Sequence, residues 1–273
     1  MIALMIAAAL CNAEVCPGYG DNLVVENDKF GVFMYGPKEY HRWSGIDVFN
    51  KSNPRASCAG WLNDPKFNRF DVHPNFHDNR GEGMDNYAMG AARGVGGVAL
   101  YGDGEWKTYV SWESCRVIHT GEDYCEVEIV YPSFSAAGKM TYHITLKRGE
   151  RFFRNDVSFE KMPNGFLAGP GIDLDPKRGH KGAVAEETGL VSLFEDPLGV
   201  NGKDGSTMEA VFVAPGEIVE PMTDHQGCCV LAFRGKRSFT YWAGASWSLA
   251  GEITTPEQWH EQVRNFRKGL LVK

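Results

Sequence analysis

The sequence predicts an all-β protein, a large antiparallel β-sandwich with a C-terminal helix. Short segments that alternate apolar with polar residues recur along the chain, and they are rich in Val, Ile, Tyr, Phe and Trp. Clusters of Gly, Asn, Asp and Pro separate them, as expected of turns between strands. With so little helix, ten such strands must pack sheet against sheet. The segments read FGVFMYG, GGVALYG, KTYVSWESCRVIH, YCEVEIVY, KMTYHITLK, RFFRNDVSFE, GLVSLFE, EAVFVAP, CCVLAFRG and SFTYWAGASW.

The clearest hairpin joins residues 139–147 to residues 151–160 through a turn at residues 148–151. Strand side chains alternate between faces, so this register gives one mostly apolar face and one polar face. The polar face is either a solvent-facing surface or the floor of a sugar-binding site. The apolar face pairs Leu146 with Phe153, Ile144 with Asn155, Tyr142 with Val157 and Met140 with Phe159, and the polar face pairs His143 with Asp156 and Thr145 with Arg154.

The single predicted helix lies at the C-terminus. Thr255 can cap it, Pro256 suits its first position, and Gln258 lies three residues after the cap. We expect this helix to close one edge or end of the sheets. Its apolar stripe consists of Trp259, Val263, Phe266 and Leu270.

Charge and motifs exclude several classes of function. The net charge is −7, and no block of five or more Lys or Arg residues offers a surface for a phosphate backbone, so nucleic acid is not an expected partner. The chain has no nucleophile elbow, phosphate loop or dinucleotide fingerprint, which argues against hydride and phosphoryl transfer. Residues 14–273 are expected to form one domain, because a β-sandwich can fill that length.

The first thirteen residues are predicted to be a signal peptide. Their apolar run ends at Cys11-Asn12-Ala13, and cleavage after Ala13 would leave a secreted or periplasmic protein. The run is too short to span a membrane. The alternative is that these residues form a buried N-terminal strand.

Six cysteines remain after that cleavage, an even number that fits an oxidising compartment. The hairpin with a turn at residues 120–122 would place Cys115 nearly opposite Cys125, which predicts a disulfide between them. No C-x-x-C pair exists, so a zinc site is not expected.

The stretch FHDNRGEGMDNYAMG, residues 76–90, holds the main functional candidates. Three interpretations are open: a calcium loop with oxygens from Asp78, Glu82 and Asp85, a structural turn fixed by hydrogen bonds and an Arg80 ion pair, or part of a sugar site. A histidine and carboxylates near a tyrosine suit both hydroxyl recognition and proton transfer. No other metal or cofactor is expected.

Five motifs resemble, in order, the secreted bacterial family known as domain of unknown function 4861. They are VVENDKFGVFMYGP, SGIDVF, FHDNRGEGMDNYAMG, ITLKRGERFFRNDVSF and TYWAGASWSLAGEITTPEQW, and together they extend over nearly the whole mature chain. The resemblance implies a galactose-mutarotase-like supersandwich associated with the breakdown of acidic plant or algal polysaccharides. The chain departs from the family pattern at Arg80, where a histidine is expected, and at Arg148, where an acidic residue is expected.

Three functions follow as hypotheses. The first is a lyase or hydrolase of acidic poly- or oligosaccharides, the second is a sugar epimerase or mutarotase, and the third is a noncatalytic glycan-binding module. In the first two, the candidate catalytic residues are side chains that can act as general acids or bases: His77, Glu82, Tyr87 and His143. The candidate substrate-binding residues are His41, Arg80, Asp85, Arg154, Trp242 and Trp247.

Overall fold

The computed structural model describes residues 10–39, 45–69, 71–87, 89, 93–133, 135–173, 180–181, 188–224 and 229–272. Within these ranges the chain forms eighteen strands and two α-helices. The helices are α1 (Cys58–Asn63) and α2 (Pro256–Gly269). The strands are β1 (Asn12–Cys16), β2 (Asn22–Glu26), β3 (Phe30–Met34), β4 (Ile46–Lys51), β5 (Gly83–Met84), β6 (Val95–Gly102), β7 (Glu105–Thr108), β8 (Ser114–His119), β9 (Tyr124–Tyr131), β10 (Met140–Lys147), β11 (Phe152–Phe159), β12 (Leu167–Ile172), β13 (His180–Lys181), β14 (Leu190–Glu195), β15 (Thr207–Phe212), β16 (Glu220–Thr223), β17 (Cys229–Arg234) and β18 (Ser238–Trp247).

The strands form three antiparallel sheets, which confirms the predicted all-β sandwich with a C-terminal helix. An N-terminal sheet has the order β1-β2-β3-β4-β5, a large sheet has the order β13-β14-β15-β18-β11-β10-β9-β8, and a third sheet has the order β16-β17-β12-β6-β7. The main hydrophobic core lies between the inner face of the large sheet and the two smaller sheets. This arrangement brings side chains of all three sheets to one interior.

The predicted β10–β11 hairpin is confirmed in its register. His143 pairs with Asp156 and Thr145 with Arg154, as the alternation requires. The neighbouring residues Tyr142 and Ile144 point into the core, so His143 lies on the outer face of the large sheet.

Helix α2 is confirmed in its position and cap, but it covers a face rather than an edge. It packs on the outer side of β14 and β15, where Trp259 stacks on Phe152 with ring centroids 5.5 Å apart. Even-numbered residues of β15, such as Met208 and Phe212, meet the helix. Its odd-numbered residues therefore face the core of the sandwich.

The predicted disulfide is absent, because Cys115 and Cys125 are both free thiols. The register of β8 and β9 pairs Cys115 with Ile129, four residues from Cys125 along β9. Gly121 exchanges two backbone hydrogen bonds with Cys11, of 3.0 and 3.1 Å, which draws the connecting turn toward the N-terminus. The connection from His119 to Tyr124 is longer than predicted, and the cysteines lose their alignment.

Strand β1 begins at Asn12. All of its residues pair with β2, from Asn12 opposite Glu26 to Cys16 opposite Asn22. Cleavage after Ala13 would remove two residues of this strand, and the signal peptide stays a prediction. Neither described helix is long and apolar enough to cross a bilayer.

Thr255→Ala is expected to lower the free energy of unfolding by about 1 kcal/mol. The Thr255 hydroxyl accepts a hydrogen bond from the Gln258 backbone N–H, and the Gln258 side chain accepts one from the Thr255 N–H. Urea unfolding measures the change. Thr223→Ala, at the end of the short strand β16, is the control and should leave stability within about 0.5 kcal/mol.

Candidate functional site

The 76–90 stretch folds back onto the end of β4 through the short strand β5. Asp85 donates its backbone N–H to the Phe76 carbonyl at 2.8 Å, and Met84 pairs with Asn50. Gly83 has a φ of 141°, and a Cβ there would lie 2.0 Å from the Asn50 carbonyl oxygen. Only glycine permits this approach, and it turns Asp85 toward β4.

Asp47 and Asp85 form a buried pair of carboxyl groups, which we call the carboxyl pair. Their residues are 5% and 3% exposed. The Tyr35 hydroxyl donates to Asp47 Oδ2 at 2.7 Å, and the Val48 N–H donates to Oδ1 at 2.8 Å. Asp85 Oδ1 accepts the Tyr87 N–H at 3.3 Å. The register explains the proximity, since one further β4–β5 pair would place Asp85 opposite Phe49, on the face of β4 that carries Asp47.

The surroundings of the carboxyl pair favour its protonated form. Burial raises the pKa of Asp47 from 3.8 to about 7, although the bonds from Tyr35 and Val48 oppose the rise. Burial and the charge of Asp47 raise the pKa of Asp85 well above its ordinary value. Both carboxyl groups therefore keep their protons to a higher pH than exposed aspartates do.

His77 lies between the carboxyl pair and solvent. Its Nδ1 is 3.0 Å from the Asp85 carbonyl oxygen and 3.6 Å from Asp85 Oδ2. Burial lowers the pKa of His77, so the imidazole is neutral at pH 7. A neutral ring that donates from Nδ1 to the carbonyl presents Nε2 as its basic nitrogen.

Tyr87 follows this pair and points into the core of the sandwich. The residue is 5% exposed, and its hydroxyl has no hydrogen-bond partner among the described residues. Asn86, immediately before it, accepts a bond from Thr207 Oγ1 at 2.9 Å, which fixes this segment to β15. Burial, together with the charges of Glu209, Asp173, Glu195 and Asp47, raises the pKa of Tyr87 well above its ordinary value.

Three of those carboxylates form what we call the inner acidic group: Asp173, Glu195 and Glu209. Glu209 on β15 and Glu195 at the end of β14 are both buried, on the faces turned away from α2. Leu193 of β14 lies directly opposite Glu209 of β15. Glu195, two residues after Leu193, is therefore the diagonal neighbour of Glu209, roughly 7 to 8 Å away. Asp173 follows β12 and donates its N–H to the Gly94 carbonyl at 3.1 Å. Each of the three sheets thus contributes at least one acidic residue whose charge acts on Tyr87. The large sheet contributes Glu195 and Glu209, the third sheet Asp173 and the N-terminal sheet Asp47.

The structure separates His143 and Arg154 from this site. Both lie on the outer face of the large sheet, where His143 Nε2 is 3.0 Å from Glu126 Oε1 and Arg154 is 2.8 Å from Asp156. An open groove of about 530 Å³ runs past His143 and Asp156. Because Tyr87 lies on the opposite side of the sheet, the two groups do not share a cleft.

The two candidate tryptophans also differ in position. Trp242 is half-buried on the outer face and stacks on Phe212 with centroids 6.2 Å apart. Trp247 is 1% exposed and donates its indole N–H to the Asp204 carbonyl at 2.8 Å. Both rings are packed against the protein. His41 lies outside the described residues.

Glu82 and Arg80 lie on the outer part of the 76–90 stretch. Glu82 is exposed, and its backbone carbonyl accepts the N–H groups of Ser52 and Asn53. The guanidinium of Arg80 lies 3.5 Å from the centre of the Phe67 ring, in place of the predicted ion pair. Asp78 binds His73 at 2.7 Å. In the described part of the chain, no group of three His, Cys, Asp or Glu residues is arranged to hold a metal ion.

Of the residues that the structure groups here, His77, Asp85 and Tyr87 were candidates from the sequence, whereas four acidic residues were not. One signal was available for Glu195: it ends the segment GLVSLFE, whose apolar residues do not alternate and so indicate a strand buried on both faces. The missed residues are Asp47, Asp173, Glu195 and Glu209.

A family model described as Domain of unknown function (DUF4861) matches residues 12–272. A relative, the uncharacterized protein P7 of Formosa agariphila, is 23% identical over 277 residues, which cover 95% of this chain and 68% of the relative.

Two solved structures are similar at low identity. A putative kojibiose phosphorylase from the human microbiome is 9% identical with a TM-score of 0.48, over 97% of this chain and 37% of that one. A GH36 alpha-galactosidase from Geobacillus stearothermophilus in complex with raffinose is 10% identical with a TM-score of 0.39, over 83% of this chain and 40% of that one. The chain spans less than half the length of either.

Proposed function

We propose that this chain, which belongs to the family described as domain of unknown function 4861, is a carbohydrate-active enzyme that cleaves glycosidic bonds by acid–base chemistry. The observation that carries the proposal is the pair of buried glutamates on neighbouring strands, Glu195 and Glu209, whose charges act on the buried hydroxyl of Tyr87. Acidic poly- and oligosaccharides, which the sequence resemblance implies, are the first substrate class to test.

The two glutamates support hydrolysis. Glycoside hydrolases use two carboxyl groups roughly 5 to 10 Å apart, one to protonate the leaving oxygen and one to activate water or attack the sugar. Diagonal neighbours on one sheet face have about this spacing. The pair stands on two hydrogen-bonded strands of the largest sheet, which holds its geometry fixed.

Tyr87 supports elimination as a second candidate reaction. A tyrosine hydroxyl without a protein partner can donate a proton to the leaving oxygen of a uronate substrate. The described charges that act on it are carboxylates, which raise its pKa and favour the protonated phenol. A lyase would leave an unsaturated uronate at the new end of the chain.

We expect the purified protein to release new reducing ends from at least one member of a panel of acidic and neutral glycans. Reducing ends without absorbance from an unsaturated uronate indicate hydrolysis, and reducing ends with that absorbance indicate elimination. Glycan binding without either product contradicts the proposal and favours a binding module. A change in optical rotation of free sugars without cleavage also contradicts it, and favours a mutarotase.

A further inference from the structure

Helix α2 covers only part of the outer face of the large sheet. The helix packs on β14 and β15. The neighbouring strands β18, β11, β10 and β9 carry the open groove of about 530 Å³, which we call the outer groove. Its floor crosses all four strands, a width of roughly 14 Å. The outer groove has no part in the chemistry proposed above, which belongs to the opposite face of the same sheet.

The strand register arranges the polar side chains of the outer groove in two rows. His143 lies opposite Glu128 on one side and opposite Asp156 on the other, and Asp156 lies opposite Thr240. Side chains that are directly opposite have Cβ atoms roughly 4.5 to 5.5 Å apart, so these four form a row straight across the groove. A second row lies two residues away along the strands and consists of Thr141, Ser158 and Ser238.

The charged side chains that line the outer groove each contact a complementary neighbour on or beside this face. Asp156 Oδ1 accepts hydrogen bonds from the Arg154 guanidinium at 2.8 Å and from the Thr240 hydroxyl at 2.6 Å. The other contacts are Glu128 with Arg116 at 3.2 Å, Glu217 with Lys236 at 2.7 Å, and His143 with Glu126 at 3.0 Å. Because opposite charges lie side by side, the groove has little net field to attract an ion.

These contacts also hold the side chains in place without closing them off from solvent. The side chains of His143 and Asp156, at the centre of the first row, are 35% and 36% exposed. Side chains that are already fixed lose less conformational entropy when a ligand binds. The outer groove therefore suits an uncharged ligand with many hydrogen-bonding groups.

A glycan chain has this chemistry. Sugar hydroxyls both donate and accept hydrogen bonds, and the two rows offer them hydroxyl, carboxylate and imidazole groups. A protein partner fits less well, because the cores of protein interfaces are depleted of charged residues. A nucleic acid requires lysine and arginine side chains that are available to phosphates. We infer that the outer groove binds an uncharged segment of a glycan chain, on the face of the large sheet opposite the inner acidic group.

Titration calorimetry with short oligosaccharides made only of glucose, xylose, mannose or galactose tests the inference. At least one should bind, and His143→Ala should weaken that binding by about tenfold or more, because it removes the centre of the first row. Thr141→Leu, which puts a larger apolar side chain in the second row, should weaken it similarly. His73→Ala is the control and should change affinity by less than about twofold, since it alters a histidine that is 71% exposed and contacts Asp78 instead.

Three outcomes overturn the inference. The first is that none of these oligosaccharides binds, which makes the outer groove a plain solvated sheet face. The second is that His143→Ala and Thr141→Leu bind as tightly as the natural protein while their melting temperatures are unchanged. The third is that Glu209→Gln abolishes the binding, since that residue lies on the opposite face and its loss would place the ligand in the inner acidic group.

Binding in the outer groove requires no cleavage, so the inference does not rest on the proposed function. A protein that binds an uncharged oligosaccharide through His143 but cleaves no glycan contradicts the proposed function and supports the outer groove. In an active enzyme, His143→Ala should raise KM for long chains and leave kcat within about twofold. A large fall in kcat would place His143 in the reaction and overturn the inference.

Discussion

Replacing Glu209 with Gln is expected to lower glycan turnover by a factor of about 10² to 10⁴. Glu209 is 1% exposed on the inner face of β15, and its charge is among those that raise the pKa of Tyr87. Glutamine has almost the same shape but transfers no proton at neutral pH. Initial rates of reducing-end release, with circular dichroism to verify the fold, measure the effect.

Glu82→Gln is the matched control for that experiment. Glu82 is exposed on the 76–90 stretch, whereas Glu195 and Glu209 are buried. Its replacement should leave turnover within about twofold of the natural protein. Glu195→Gln should lower turnover as Glu209→Gln does, and the double variant should lose less than the product of the two effects, because paired catalytic groups act as a unit. Full activity in Glu209→Gln would remove Glu209 from the mechanism.

Local signals in the sequence predicted a large part of the fold. The capping residues of α2 are three positions apart, and the alternation that sets the β10–β11 register lies within twenty residues. The missed strands lack such signals. β2 and β4 are buried on both faces and do not alternate, and β12 contains two glycines and a proline.

The site divides in the same way. His77, Asp85 and Tyr87 were predicted because they are close in sequence. The charges of Glu195 and Glu209 act on Tyr87 only because the sheets pack together, across more than 100 residues of intervening chain, and this leaves no local pattern in the sequence.

The outer face of the β10–β11 hairpin illustrates a further limit. Alternation correctly grouped His143 with Asp156, but it does not say on which side of a sheet the binding site lies. That choice depends on which face the other sheets cover.

Tyr87→Phe is expected to lower turnover by about a hundredfold or more while leaving stability unchanged or raised by up to about 1 kcal/mol. The two effects have one cause. The Tyr87 hydroxyl is buried without a partner in the described ranges. Folding therefore removes this hydroxyl from water without forming a new hydrogen bond, and this lowers the free energy of unfolding. Such a group requires an explanation, and in the proposed function a bound substrate supplies the missing partner. Urea unfolding and reducing-end release on the same variant measure both effects.

Tyr142→Phe provides the opposite case in the same core. The Tyr142 hydroxyl is as deeply buried, but it accepts the Val98 N–H at 2.9 Å and lies 3.5 Å from the Tyr241 hydroxyl. Its removal leaves the Val98 N–H without that acceptor, so stability should fall by about 1 to 3 kcal/mol while turnover stays near that of the natural protein. If Tyr87→Phe behaves as Tyr142→Phe is expected to, with lower stability and full turnover, then the Tyr87 hydroxyl is structural and takes no part in catalysis.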